Sequence, residues 1–328
     1  MDQIKNRKSL LNKTVVVTGA SSGAGRAIAL EMARQGAQVV LAARREEVLK
    51  SVAADINEQG GEALVVPTDV TDADSVKILA AAAVEWGGAI DVWVNNAGVL
   101  AVGTFEETPV DVHDRVIRTN LMGYIHGAHA IIPFFKQQGK GILINNISVG
   151  GWMPTPYAVG YSASKFGLRG FSEALRGELR QWKNIHICDV FPAFLDTPGI
   201  QHAGNFTGKV LKPAPPVYDP QLVAQKIASL AAHPRPAAIV GSVALFLKWA
   251  HAAFPALSRN ITAGVIENYL EQAKPIENTD GNLFEPALYG TSIHGGWRTP
   301  PSARMKALGS VLLVAGLAAG LLLAGRRS

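Results

Sequence analysis

"TVVVTGASSGAG", residues 14 to 25, runs from an apolar stretch into a turn holding three glycines. Val15, Val16 and Val17 follow one another without a polar interruption. A strand sends successive side chains to opposite faces, so an unbroken apolar run means that both faces are covered. The continuation, "GAGRAIALEMARQG", reads as a helix that stops at Gly36. A glycine-rich turn between a strand and a helix lets the backbone approach a pyrophosphate, and the helix N-terminus favours the anion. Gly19, Ser21, Ser22, Gly23 and Gly25 are therefore candidate contacts to a dinucleotide. The spacing is G-x-x-x-G-x-G rather than the general G-x-G-x-x-G, and a glycine turn without a ligand stays open as the alternative.

The same alternation extends along the chain. "AQVVLAAR", "EALVVPTDV", "AIDVWVNNAG", "GKGILINNIS" and "IHICDVFPAF" read as strands. Helical stretches separate them, one of which, across 109 to 138, breaks near Asn120. Residues 157 to 182 read as a long helix. Strands and helices in alternation, with near-continuous apolar strands, predict an α/β fold. It is a Rossmann-type, doubly wound parallel sheet in three α/β/α layers, with ligands bound beyond the carboxyl ends of the strands. Residues 200 to 220 are rich in Gly and Pro and read as a loop or lid. "PQLVAQKIASLAAH" then reads as a helix and "AAIVG" as a strand. The expected organisation is a catalytic dinucleotide-binding domain over 1–245 and an extension and linker over 246–306. A transmembrane helix is expected over 307–325.

That last expectation rests on "ALGSVLLVAGLAAGLLLAG", 19 residues without a charge. About 20 apolar residues span a bilayer. Arg304 and Lys306 precede the run and Arg326 and Arg327 follow it. The run carries no polar stripe to meet water, which favours a membrane anchor over a buried helix. "SVALFLKWAHAAFPAL", 242 to 257, could pack on the core or lie in a membrane interface. The polar N-terminus has no signal-peptide core. Across all 328 residues, 48% are hydrophobic and 17% charged, with a net charge of +5. The basic residues are scattered and form no stripe interleaved with aromatics, so nucleic acid is not an expected partner. The single cysteine, Cys188, sits in an apolar strand and reads as a buried thiol. His126 and His129 share a helical face but lack a third ligand, so no metal is expected.

Two further stretches carry chemistry. In "YAVGYSASK", residues 157 to 165, Tyr161 and Lys165 are four apart and share a helical face, whereas Tyr157 has Tyr161 at that spacing. A tyrosine hydroxyl titrates near pH 10, and a neighbouring ammonium is the means to bring it down. Tyr161 is the candidate acid or base, and Tyr157 the bystander. Trp152, Met153 and Tyr157 are candidates for an apolar pocket wall or for ordinary packing. At the end of the second strand, "LAARR" puts Arg44 and Arg45 where NAD-binding folds usually place an acid. Arginine can bind a 2′-phosphate through paired hydrogen bonds, so NADP(H) is favoured over NAD(H). The alternative is that both arginines begin a solvated helix.

"TGASSGAG", "NNAG" at 95 to 98, Asn120 in "RTNLMG", Ser148 in "NNIS" and "YSASK" occur in one order and spacing. Together they resemble the short-chain dehydrogenase/reductase family over about residues 10 to 200. The resemblance implies a sheet of seven parallel strands. It implies that Tyr161 is the general acid or base and that Lys165 lowers its pKa and holds the nicotinamide ribose. Ser148 would orient and polarise the substrate carbonyl, and Asn120, at a helix kink, would hold a water in the proton relay. Asp69 and Val70 would lie by the adenine, and Asn96, Ala97 and Gly98 would line the cofactor cleft. Pro192 and Thr197 would touch the nicotinamide carboxamide. The family usually has Pro-Gly where this chain has Pro192-Ala193.

The expected function is an NADP(H)-dependent oxidoreductase that interconverts an alcohol and a ketone or aldehyde. An apolar substrate is expected: a steroid, retinoid, long-chain aldehyde or acyl derivative. The catalytic domain would lie on the cytoplasmic side of a single C-terminal pass, and homodimers or tetramers are an expectation from the family. The alternatives are a catalytically silent NADP(H)-binding redox sensor and a membrane scaffold whose tail is the working part.

Overall fold

The computed structural model describes residues 9 to 298. The run expected to cross a membrane, 307–325, lies outside the described residues. Among the described residues no helix is long and apolar enough to span a bilayer.

Elements alternate from the first strand. β1 is Thr14–Thr18, α1 Gly23–Arg34, β2 Gln38–Ala43, α2 Glu46–Glu58, β3 Glu62–Pro67 and α3 Ala73–Gly87. β4 is Val92–Asn95, β5 the short Ala101–Val102, α4 Val110–Ile117, α5 Gly123–Gln138, β6 Gly141–Asn146 and α6 Val159–Glu178. Then follow β7 Ile185–Pro192, β8 Gly204–Asn205, α7 Pro220–Ala232, β9 Ala237–Val240, α8 Ser242–Ala253 and α9 Pro255–Gln272. Seven parallel strands form one sheet in the order β3-β2-β1-β4-β6-β7-β9. The order reverses between β1 and β4, and a ligand crevice is expected at the strand ends beside that point.

The three valines of β1 explain the layers. Val15 and Val17 face Ile28, Met32, Val52 and Ile227 from α1, α2 and α7. Val16 faces Leu79, Ile131 and Phe135 from α3 and α5. All three valines are fully buried. Burying such a side chain stabilises the fold by about 1.5–3 kcal/mol. Cys188 in β7 is buried too, and burial pushes its thiol up to about 11.

Two features depart from the sequence reading. Residues 275 to 297, read as a linker, pack back across the strand ends as a strap. Leu283 on it is fully buried against Val99, Val112 and Val116. Thr279 and Pro275 pair with Asn205 and Lys209 at isolated bridges. The second is α9, which no apolar periodicity announces and which has no buried residue. With α8 it exposes Phe246, Trp249, Phe254, Leu257, Ile261 and Val265.

Candidate functional site

The carboxyl ends of the strands open into a cavity of about 530 Å3. At its centre lies the turn after β1. Gly19 has φ +69°, and a Cβ there would sit 2.8 Å from the Ala97 Cα. A Cβ on Gly25 would lie 2.0 Å from the Gly19 carbonyl oxygen. Only glycine permits this close approach, which brings main chain and the start of α1 to the cavity wall. Thr18 closes the turn from below: its hydroxyl accepts from the amides of Asn96 and Ala97 at 3.0 and 3.2 Å. Gly19, Ser21, Ser22, Gly23, Gly25, Asn96, Ala97 and Gly98 all line the cavity.

One end of the cavity holds Ser148, Tyr161 and Lys165. Ser148 follows β6 at φ +117°, and its Oγ accepts from the Gly150 amide at 3.1 Å. Tyr161 and Lys165 project from the first turns of α6, which starts two residues later than the sequence suggests. Tyr157 precedes it at φ +64° and donates its hydroxyl to Glu267 of α9 at 3.0 Å, away from the cavity. Lys165 is 4% exposed, and its Nζ lies 5.5 Å from the Tyr161 ring centre and 5.2 Å from that of Tyr124. Among the described residues it forms no ion pair. Burial therefore pulls its pKa down to about 7. Burial also pushes the Tyr161 phenol up, offset in part by the Ser148 hydroxyl. Burial thus outweighs the lowering expected from the Tyr161–Lys165 spacing.

The lysine makes a measurable contribution to stability. Its ordinary value is 10.5, so between about pH 7 and 10.5 the unfolded chain binds the extra proton. Its stabilising contribution is complete above pH 10.5 and is lost as pH falls toward 7. Between pH 7.5 and 9, wild type should gain about 1.4 kcal/mol per pH unit over Lys165→Met in urea unfolding. Parallel pH profiles for the two proteins would contradict a buried, depressed lysine.

Asn120 is placed differently from the other expected residues. It sits in a π-helical turn, Arg118–Met122, between α4 and α5, which is the break expected there. Its amide is fully buried, accepting from Val99 N at 2.8 Å and donating to Val99 O at 2.9 Å. It also reaches Ser164 Oγ at 3.4 Å, whose hydroxyl donates to the Tyr161 carbonyl. Asn120 is absent from the cavity wall, whereas Pro192 and Thr197 line it. Met153 lines it as well. Trp152 packs instead on Phe191, beneath Arg169 and Lys248.

The opposite end of the cavity carries Arg44, Arg45, Asp69 and Val70. Arg44 donates to the carbonyls of Asn282 and Phe284 at 2.6 and 2.8 Å. Arg45 donates to those of Ala287 and Tyr289 and to Ser21 Oγ. All these acceptors are neutral, and neither arginine has a carboxylate within ion-pair distance among the described residues. Burial lowers the pKa of both, yet a guanidinium stays charged at neutral pH. Asp69 and Glu285 act on Arg44 from beyond ion-pair distance, and two guanidinium groups at a cavity wall suit an anionic ligand group. Burial pushes the Asp69 carboxyl up, but hydrogen bonds from Thr71 and the Arg115 guanidinium outweigh this and hold it below the usual range. Arg115 is a site residue that sequence reasoning missed, since an arginine on amphipathic α4 carries no distinguishing signal.

Between the ends, the wall is apolar. Leu211 from the expected lid, Leu247 of α8 and Ile266 and Leu270 of α9 line it together with Met153. His126, weighed as a metal ligand, meets the Val70 carbonyl oxygen at 2.9 Å.

Comparison with known proteins places the chain in a family. The family profile described as short chain dehydrogenase matches residues 13–206. An "Uncharacterized oxidoreductase YxnA" of Bacillus subtilis is 33% identical over 96% of this chain and 90% of its own length. The mouse "Dehydrogenase/reductase SDR family member 7" is 34% identical over 62% of this chain and 61% of its own. Among solved structures, an alcohol dehydrogenase from Thermococcus sibiricus complexed with 5-hydroxy-NADP aligns with a TM-score of 0.62 and 27% identity. That alignment covers 71% of this chain and 97% of the other. A metagenomic short-chain oxidoreductase in complex with NADP aligns with a TM-score of 0.61 and 30% identity, covering 71% and 98%.

Proposed function

The chain belongs to the short-chain dehydrogenase family and is an oxidoreductase of that type; we propose that it interconverts an apolar alcohol and its ketone or aldehyde with NADP(H). One observation carries this reading: Ser148, Tyr161 and Lys165 share a cavity with Arg44 and Arg45. The residues fit the cofactor. The glycines let the turn after β1 pack closely on Ala97 and on its own main chain, which puts backbone and the start of α1 at the cavity wall where a pyrophosphate would lie. Arg44 and Arg45 suit a 2′-phosphate, and the two solved neighbours named above carry NADP or a derivative.

When bound, NADPH supplies the hydride that adds to the carbonyl carbon. The chain's own groups manage the oxygen. Ser148 donates a hydrogen bond to it, which stabilises the charge that develops there. Tyr161 gives it the proton, forming the O–H bond of the alcohol. Lys165 stands behind the phenol and, when protonated, favours the phenolate left behind. Asn120 acts as a positioning residue: its hold on Val99 and Ser164 fixes the main chain under Tyr161. The apolar wall of Met153, Leu211, Leu247, Ile266 and Leu270 supports an apolar substrate. The test is consumption of NADPH with a panel of apolar ketones and aldehydes, with NADH alongside. Normal NADPH binding with no turnover on any carbonyl would favour the redox-sensor alternative.

A further inference from the structure

α8 and α9 each carry two sets of apolar side chains. Leu247 of α8 and Ile266 and Leu270 of α9 line the cavity. Leu257, Ile261 and Val265 of α9 are four apart, so they form a separate stripe along the helix. That stripe is exposed, as are Phe246 and Trp249 of α8 and Phe254 at the joint between the helices. α9 has no buried residue, so nothing among the described residues covers this face. A soluble monomer rarely exposes a large apolar patch, and such a patch marks a surface that meets a partner.

Composition and chain length say which partner. Tryptophan, phenylalanine and leucine beside basic residues are the side chains of helices that lie in a membrane interface. No acidic residue occurs between 242 and 266, where Lys248 and Arg259 are basic. The pair therefore brings no charge that repels an anionic headgroup. The chain also carries its charge-free 19-residue run from 307 to 325. The amide and indole of Trp297 donate to Asp196 Oδ1 and the Thr197 carbonyl at 2.7 and 3.0 Å, which ties Trp297 to the domain. Residue 307 follows Trp297 by ten positions. Ten residues span at most about 35 Å. With the run in a bilayer, the domain is held within that distance of lipid.

We propose that the exposed face of α8 and α9 docks on the surface of a phospholipid bilayer. The cavity wall built by the same two helices then lies about one helix diameter, roughly 10 Å, from lipid. An apolar substrate dissolved in the bilayer reaches the cavity along α9 without crossing bulk water. That use of the face rests on the apolar-substrate reading above, whereas the docking rests on the face itself.

The test uses the full chain on vesicles of phosphatidylcholine and phosphatidylglycerol, with one fluorophore attached to a cysteine. Ile261→Cys puts the label on the face and Ile78→Cys puts it on α3, two side chains that are 57% and 65% exposed. Cys188 is fully buried, so the new thiol takes the label. Nitroxide-bearing lipids should quench the label at 261 at least about 3-fold more than the label at 78, and aqueous iodide should quench it at least about 3-fold less. Equal quenching at the two positions would overturn the proposal, as would a full chain that does not bind the vesicles. A label at 261 shielded from iodide yet untouched by the lipid nitroxide would overturn it too, by showing a second copy or the chain's own 307–325 run on the face. NADPH oxidation by the same labelled proteins is read separately, so a failure of the enzymatic reading is distinguishable from a failure of the docking.

Discussion

Tyr161→Phe is expected to lower kcat by about 10^3-fold while the NADPH Kd changes by less than about 5-fold. A positioned general acid contributes about 10^2–10^4-fold, and the phenol is the acidic group that faces the cavity beside Ser148. Phenylalanine keeps the ring, which packs with Val99, Val112 and Val116, so the wall should keep its shape. Ser148 still donates to the carbonyl oxygen in the variant, which sets the residual rate. The lost hydroxyl also removes at most one hydrogen bond to a bound cofactor, about 1 kcal/mol, which limits the effect on Kd. Pre-steady-state rates with saturating NADPH separate the two quantities. An unchanged rate would remove Tyr161 from the reaction.

The double substitution Arg44→Ala/Arg45→Ala should lower kcat/KM for NADPH by about 10^2–10^3-fold relative to NADH. Hydrogen bonds to a charged group are worth about 1.5–3 kcal/mol each, and two of them give a change of that order. The comparison between cofactors matters because both arginines also hold the strap, through the carbonyls of Asn282, Phe284, Ala287 and Tyr289. Loosening the strap should weaken both cofactors alike. Only the part of the loss confined to NADPH reports on the 2′-phosphate. Equal losses for the two cofactors would make the arginines strap anchors and nothing more.

That double role shows where sequence reading stopped. The inner strands of the main sheet were legible because they are apolar runs buried on both faces, as Val15 to Val17 illustrate, and the edge strands β3 and β9, only half-buried, keep a short apolar run. The break at Asn120 was legible, and the structure gives it a π-helical turn. What Asn120 does with its amide was not legible: its partner is the main chain of Val99, 21 positions away. The strap was read as a linker for a related reason. It is held largely by main-chain carbonyls that accept from Arg44, Arg45 and Arg115, and a carbonyl leaves no mark on composition or periodicity. α9 was missed because it buries no residue, so no apolar stripe marks its path. Both segments wall the cavity, so the substrate end and the adenine end were less legible than the turn and the tyrosine between them.

The most direct test of the central claim is the rate of NADPH oxidation by the purified full chain over a panel of apolar ketones and aldehydes, with NADH in parallel. The account predicts turnover with at least one of these carbonyls, faster with NADPH than with NADH by about 10^2-fold or more in kcat/KM. Tight NADPH binding without turnover on any carbonyl, or turnover that favours NADH, would contradict it.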